Sequence, residues 1–115
     1  MQASDVDAAY KAELTEACER LARSTRSIVA RGKNDPHLPG AVSVDYLEMV
    51  GMTMCAWVWA LMATQAPEDD FGVAKKATAR YFYDRLLPKT LGLERSIEAE
   101  ADAVMEMPQE LFSPV

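Results

Sequence analysis

Residues 46–66, YLEMVGMTMCAWVWALMATQA, decide the fold of this chain. From Met49 to Ala66 the stretch carries no charged side chain. Its large apolar residues follow two stripes at three- and four-residue spacing, which predicts a helix without a solvent-facing side. The first stripe is Leu47, Val50, Met54, Trp57 and Leu61, and the second is Met49, Met52, Cys55, Trp59 and Met62. We expect this helix to be surrounded by other helices of the chain, by a partner or by lipid.

Lipid is the least favoured of these surroundings. A run of roughly 18 apolar residues is the lower limit for a bilayer span, and Thr53, Thr64 and Gln65 dilute this one. No Lys or Arg lies near either end, and the acidic pair Asp69 and Asp70 follows the run, which is the opposite of a positive-inside pattern. The flanks therefore favour the central helix of a soluble bundle with no membrane partner.

Composition supports a single all-α domain. The chain has 115 residues, of which 50% are hydrophobic and 26% charged, with 5 Gly and 6 Pro. β-branched runs and Asn-Gly or Asp-Gly hairpin signals are missing from the sequence. The net charge of −6 argues against a nucleic-acid partner, which would require dense positive charge. The acidic start MQASDVDAAY has no apolar signal region, so we expect a cytoplasmic protein.

Helical periodicity predicts an antiparallel bundle of three long helices. Pro88 interrupts the third, which we expect to be kinked or broken there to give a fourth. Pro36 and Pro39 predict a loop of about a dozen residues before the central helix. The expected helices cover residues 5–31, 44–66, 70–87 and 89–107, and the expected loop covers residues 32–43.

Two helix caps and two charged faces are also predicted. Ser4 is expected to cap the first helix, and Asp69 or Asp70 the third. Basic residues on the first helix and acidic residues on the fourth are interpreted as solvated faces. The basic set is Arg20, Arg23 and Arg26, and the acidic set is Glu94, Glu98, Glu100, Asp102 and Glu106.

Residue patterns for catalysis or metal binding are missing. His37 is the single histidine, and the glycines are scattered, so neither a metal ligand set nor a phosphate-binding loop is formed. We therefore expect no catalytic, cofactor-binding or metal-binding residue, and interpret the chain as a packing or interaction domain. Trp57 and Trp59 point to different sides of their helix, so one is expected in the core and the other at a partner surface. The candidate interface residues are Met52, Cys55, Trp57, Trp59, Met62 and Phe82.

Three segments together resemble a known family. They are GMTMCAWVWALMA at 51–63, AKKATARYFYDRLLP at 74–88 and ADAVMEMPQELF at 101–112. In order and spacing they resemble the C-terminal helical domain of large bacterial acyl-CoA dehydrogenases that act on short acyl-CoAs, including the methylthiopropionyl-CoA dehydrogenases. The resemblance extends from about Tyr10 to Phe112 and rests on packing residues such as Gly51 and Pro88 rather than on chemical groups.

The resemblance implies a role beside a flavin enzyme. Such enzymes oxidise the α,β bond of an acyl-CoA thioester with a glutamate base and FAD, both of which belong to the core domains. It implies that this chain has no catalytic residue and docks on that core, on a second copy of itself, or on both. The alternative is a free-standing helical homodimer or adaptor. A weaker variant has His37, Arg20 and Arg23 contacting an acyl-CoA phosphate.

Overall fold

The computed structural model describes residues 8–99, which fold as an all-α bundle, as predicted. No strand occurs within that range. Two long helices are followed by a third that is bent, so that its two halves are separate helices. The elements are α1 (Ala8–Gly32), α2 (Leu38–Thr64), α3 (Asp70–Tyr81) and α4 (Lys89–Glu98).

The core residues show that α1 and α2 run antiparallel. At one end of the bundle, Tyr10 and Leu14 from the start of α1 share a buried cluster with Ala63 from the end of α2. At the other end, Leu38 from the start of α2 is buried in a second cluster with Ile97 of α4, against which Ile28 packs. The bent third member completes both clusters, because Tyr83 belongs to the first and Ile97 to the second.

α2 begins at Leu38, earlier than the predicted start near residue 44, so the second half of the predicted loop is wrong. Pro39 lies in the first helical turn, where a backbone N–H has no intrahelical acceptor and a proline therefore costs little. Asp35 accepts a hydrogen bond of 3.1 Å from the backbone N–H of His37, the residue that precedes the helix. The connection between α1 and α2 is a short turn rather than a loop of a dozen residues.

The bend between α3 and α4 is a π-helical turn over Phe82–Leu86. The backbone N–H of Leu87 donates to the carbonyl of Phe82 at 2.9 Å, five residues back instead of four. Pro88 explains the change, because it has no N–H to donate and its ring would clash with the carbonyl four residues earlier. The predicted break near Pro88 is therefore confirmed and has a defined geometry.

The turn between α2 and α3 depends on Asp69 and Gly72. Asp69 caps α3, as predicted, by accepting a hydrogen bond of 2.8 Å from the backbone N–H of Gly72. A Cβ atom on Gly72 would lie 1.5 Å from the carbonyl oxygen of Pro67, so the chain can approach itself this closely only at glycine.

α4 ends close to the limit of the described residues. It ends at Glu98, and Ala99 has extended backbone angles. Arg31 of α1 donates hydrogen bonds of 3.0 Å to the carbonyls of Ile97 and Ala99, which satisfies acceptors at the end of the helix. The predicted helix over residues 99–107, its acidic residues Glu100, Asp102 and Glu106, and the cap at Ser4 lie outside the described residues, apart from Ala99.

The charged faces of α1 and α4 pack together, so their interpretation as solvated faces is wrong for Arg20 and Glu94, whereas Arg23 and Glu98 remain exposed. Arg23 donates two hydrogen bonds to the carboxylate of Glu94, at 3.2 and 3.3 Å, and Arg31 lies 3.5 Å from Glu98. Arg20 is 8% exposed and donates to the hydroxyl of Thr90 at 2.8 Å. Arginines on one face of α1 therefore lie opposite glutamates on one face of α4, and this charge pairing favours contact between these two faces.

Candidate interface on the central helix

The inner face of α2, which packs against the rest of the bundle, consists mostly of small side chains. Its residues recur at helical spacing and are at most 4% exposed. They are Val42, Met49, Thr53, Ala56, Ala60 and Ala63. Alanine and threonine allow neighbouring helices to approach the backbone of α2 closely, as the hydrogen bond of 2.6 Å from the hydroxyl of Tyr83 to the carbonyl of Ala56 shows.

The opposite side of α2 is exposed and almost entirely apolar. Between residues 44 and 58, every exposed position lies on this side. Val44 is 75% exposed, Leu47 72%, Met54 54% and Val58 45%. The exposed positions are Val44, Leu47, Glu48, Gly51, Met54, Cys55 and Val58.

These positions follow the three-four repeat of a coiled-coil seam. Val44, Leu47, Gly51, Met54, Val58 and Leu61 are spaced alternately by three and four residues, which places them at successive a and d positions of a heptad. We call these six residues the outer seam. Leu61 is half-buried and packs partly against the core cluster of its own chain, and the other five are exposed. A seam of this kind on an isolated surface is the usual signature of a helix that packs on another helix.

Gly51, in the middle of the outer seam, is unexplained by packing inside the described part of the chain. A Cβ atom at this position would meet nothing within 4 Å. Glycine inside a helix costs roughly 0.5–1 kcal/mol relative to alanine, because it loses more backbone freedom on folding. The glycine leaves a shallow depression in the row of side chains between Leu47 and Met54.

The structure divides the predicted interface residues among three environments. Cys55 is exposed and adjoins the outer seam. Met52, Trp57, Trp59 and Met62 are half-buried on the flanks of α2. Phe82 is 8% exposed and belongs to the core cluster, so it is removed from the candidate interface.

Neither tryptophan has the predicted position. Both Trp57 and Trp59 pack against the core cluster from the sides of α2, rather than one inside and one outside. The ammonium of Lys75 lies 5.7 Å from the ring of Trp59, within range of a cation–π contact. The indole nitrogen of Trp57 is buried without a hydrogen-bond partner among the described residues. Large flat side chains are thus used to close the edges between α2 and its neighbours.

Sequence reasoning missed Val44, Gly51 and Val58 of the outer seam. The alternating spacing of three and four is present in the sequence, but the predicted interface follows the large residues of the second stripe instead. Alanines at 56, 60 and 63 show the same periodicity and occupy the core instead. Because a helix that is apolar all round has no polar face to mark its outside, hydrophobicity alone does not orient α2.

The six residues of the outer seam itself offer binding surface rather than reactive groups. Within residues 8–99, no group of three or more His, Cys, Asp or Glu side chains is placed to hold a metal ion. Arg20 and Arg23 are engaged with Thr90 and Glu94 of α4, so the predicted contact of these arginines with an acyl-CoA phosphate is not supported. What remains is an uncharged apolar strip bordered at one end by Asp45 and Glu48.

By length and composition, α2 is the one helix in the described part of the chain that could cross a membrane. Within α2, the 18-residue stretch that is apolar enough to span a membrane is 28% buried inside the bundle. The same property is found in core helices of soluble proteins, so this finding is weak evidence for lipid. The low buried share and the exposed outer seam agree that α2 has apolar surface that the bundle does not cover.

Comparison with known proteins identifies the family of this chain. The family model described as acetyl-CoA dehydrogenase C-terminal like matches residues 2–108. No curated protein and no solved structure matches the chain. The match includes all four described helices, and therefore the outer seam.

Proposed function

Since this chain belongs to the acetyl-CoA dehydrogenase C-terminal-like family, we propose that it is the accessory C-terminal domain of an FAD-dependent acyl-CoA dehydrogenase. In this role it supports the catalytic core and the assembly of subunits, and has no catalytic residue of its own. The parent enzyme is of the large bacterial type that acts on short acyl-CoAs, such as methylthiopropionyl-CoA, in the cytoplasm. FAD and the glutamate base belong to the core.

The outer seam of α2 carries this proposal. A domain whose longest helix exposes Val44, Leu47 and Met54 has apolar surface that water penalises at about 25 cal/mol per Å². Docking on a core or on a neighbouring subunit removes that surface from water. The inner face of the same helix is fully occupied, so docking needs no rearrangement of the bundle.

Three carboxylates of the described residues have structural partners, which supports a non-catalytic role for them. Glu13 receives hydrogen bonds from Arg80, and Glu94 from Arg23. Asp69 caps a helix. Carboxylates used in this way hold helices together and are poorly placed to accept a proton from a substrate, which requires a site that the substrate can enter.

The experiment that tests this proposal supplies the missing core. A family dehydrogenase lacking its C-terminal domain is mixed with the 115-residue chain, and complex formation, FAD retention and acyl-CoA oxidation are measured. We expect the chain to bind the core and to raise its melting temperature or activity. Leu47→Glu should weaken either docking on the core or the pairing of subunits, whichever buries the outer seam, whereas Leu91→Glu, which changes an exposed leucine of α4 away from the outer seam, should weaken neither.

Two results would contradict the proposal. One is a core that gains neither stability, assembly nor activity from the added chain. The other is acyl-CoA oxidation by the chain alone with FAD and an electron acceptor, because that would place catalytic residues within these 115 positions. The second result is independent of whether a suitable core has been chosen.

The alternative is a free-standing homodimer or adaptor. It is favoured by the regular heptad spacing of the outer seam, which is a pattern that identical helices can match. The gene distinguishes the two functions, because a reading frame that continues upstream into a flavin-binding core would exclude a free-standing protein.

A further inference from the structure

We infer that the outer seam of α2 pairs with the outer seam of a second copy of this chain, antiparallel and about a two-fold axis. This inference rests on the proposed function, in which the outer seam supports subunit assembly. It identifies a second copy of the chain as the partner that covers the outer seam. In the pairing, Val44 of one copy packs against Leu61 of the other, Leu47 against Val58, and Gly51 against Met54.

The register follows from the seam itself. In an antiparallel coiled coil, each a position faces a d position of the partner helix. Positions 44, 51 and 58 are a, and positions 47, 54 and 61 are d. One alignment matches all six at once, and it sets the depression at Gly51 opposite the long side chain of Met54. Because the same contact is made twice, the interface is isologous and closes at two copies.

Gly51 is the position of the outer seam where a second helix can approach the backbone of α2 most closely, because it has no side chain. No atom lies within 4 Å of the place where its Cβ would stand, so packing inside the described bundle does not require glycine. Gly40, which continues the heptad as a d position, is equally open. Small residues at a helix surface allow another helix to approach closely, and a flexible methionine is well suited to fill the space above one.

The charges of α2 favour the antiparallel arrangement. Its two carboxylates, Asp45 and Glu48, both lie in its first half, and residues 49–64 are uncharged. A parallel pair would gather four carboxylates at one end of the interface. An antiparallel pair places Glu48 near the uncharged Cys55 of the second copy, so like charges are kept apart.

The size of the seam predicts a weak dimer. Residues 44–61 extend along about 26 Å of helix, and a face about 10 Å wide on both copies amounts to on the order of 500–1,000 Å² of buried surface. Stable interfaces usually bury about 1,200–2,000 Å². The pairing should therefore be reversible and concentration-dependent in the isolated chain, and should become tight only when other contacts raise the local concentration.

Disulfide crosslinking tests the register. Leu47→Cys and Val58→Cys are made singly and together in the full chain with Cys55→Ser, and are oxidised mildly at high concentration. We expect crosslinked dimers from the mixture of the two single variants and from the double variant, and none from either single variant alone. Cys55→Ser without an added cysteine controls for crosslinks through Cys18. Self-crosslinking of the Leu47→Cys variant would overturn the antiparallel register.

Light scattering over a concentration series, to about 1 mM, tests the pairing itself. We expect Leu47→Glu to raise the dissociation constant at least tenfold, whereas Leu91→Glu should leave it unchanged. Helix content by circular dichroism verifies that both variants are folded. A chain that remains monomeric throughout would overturn this inference.

Further measurements test whether the dehydrogenase core or lipid covers the outer seam instead, and distinguish failure of the self-pairing from failure of the proposed function. A monomer that binds the dehydrogenase core through Leu47 would overturn the self-pairing and leave the proposed function standing, whereas a monomer that binds no core would contradict both. Co-sedimentation with phosphatidylglycerol vesicles that Leu47→Glu abolishes would make lipid the occupant and overturn the inference.

Discussion

The hydroxyl of Tyr83 donates a hydrogen bond of 2.6 Å to the backbone carbonyl of Ala56, which joins the π-helical turn to the inner face of α2. Tyr83 is 1% exposed, and the centre of its ring lies 4.7 Å from that of Tyr10 on α1. The guanidinium of Arg80 lies over both rings and donates to Glu13 at 3.1 Å. The side chain of Tyr83, in the bent third member, thus contacts both α1 and α2.

Removing that hydroxyl should destabilise the fold. For Tyr83→Phe we expect a loss of about 0.5–1.5 kcal/mol in the free energy of unfolding, the usual contribution of one hydrogen bond. Urea denaturation followed by circular dichroism measures the loss. Tyr81→Phe is the matched control, because Tyr81 is 60% exposed and should change little. Equal effects of the two substitutions would refute the assigned role of Tyr83.

The contribution of Tyr83 should disappear in alkaline solution. Burial is the largest cause that raises the pKa of Tyr83 above its ordinary value of about 10. The folded state therefore holds this proton more tightly than the unfolded state, and the stability it contributes is complete below pH 10 and declines as the pH rises beyond that. The difference in unfolding free energy between the natural chain and Tyr83→Phe should shrink above pH 10. A difference that stays constant would contradict the assignment.

Two glycines should respond to alanine in opposite directions. Gly72→Ala would place a methyl group 1.5 Å from the carbonyl oxygen of Pro67, so we expect a loss of about 1–3 kcal/mol as the backbone shifts. Gly92→Ala meets nothing within 4 Å inside α4 and should gain about 0.5–1 kcal/mol. Thermal and urea unfolding of the two variants provides the comparison, and a tolerated alanine at position 72 would show that the turn has a different geometry.

The inner and outer faces of α2 should differ in their tolerance of a change in size. Ala60 is 0% exposed, so we expect Ala60→Leu to cost about 1–3 kcal/mol through overpacking. Leu47→Ala removes an exposed side chain and should alter unfolding by less than about 0.5 kcal/mol, while weakening association. Chemical denaturation of dilute protein, where association is negligible, separates the effects. A large loss from Leu47→Ala under those conditions would mean that Leu47 is covered within the chain.

Arg20 should matter more than its neighbour Arg23. Arg20 is nearly buried, donates to Thr90 and lies 3.9 Å from Glu94, so we expect Arg20→Ala to cost about 1.5–3 kcal/mol. Arg23 makes its hydrogen bonds to Glu94 at the surface, where solvent screens them, so Arg23→Ala should have little effect. Unfolding at low and high salt tests the assignment, since the effect of Arg20→Ala should persist in high salt. Equal losses from the two variants would contradict it.

The sequence by itself determined the all-α class, the break at Pro88 and a cap at Asp69 or Asp70, because each depends on local chemistry. A proline removes one N–H wherever it stands, and an aspartate before a helix can accept from its first turn. The early start of α2 differs from the prediction for a reason that is also local: Pro39 predicts a break, but the first helical turn tolerates proline.

Only the tertiary structure decided which side of α2 faces inwards and which charges meet. A helix apolar on every side can be buried in several orientations, and the choice was made by the fit of Ala56, Ala60 and Ala63 against close neighbours. The pairing of Arg23 with Glu94 likewise required two helices far apart in the chain to pack side by side. Close packing and charge pairing between distant segments are properties of the assembled bundle, so no local pattern encodes them.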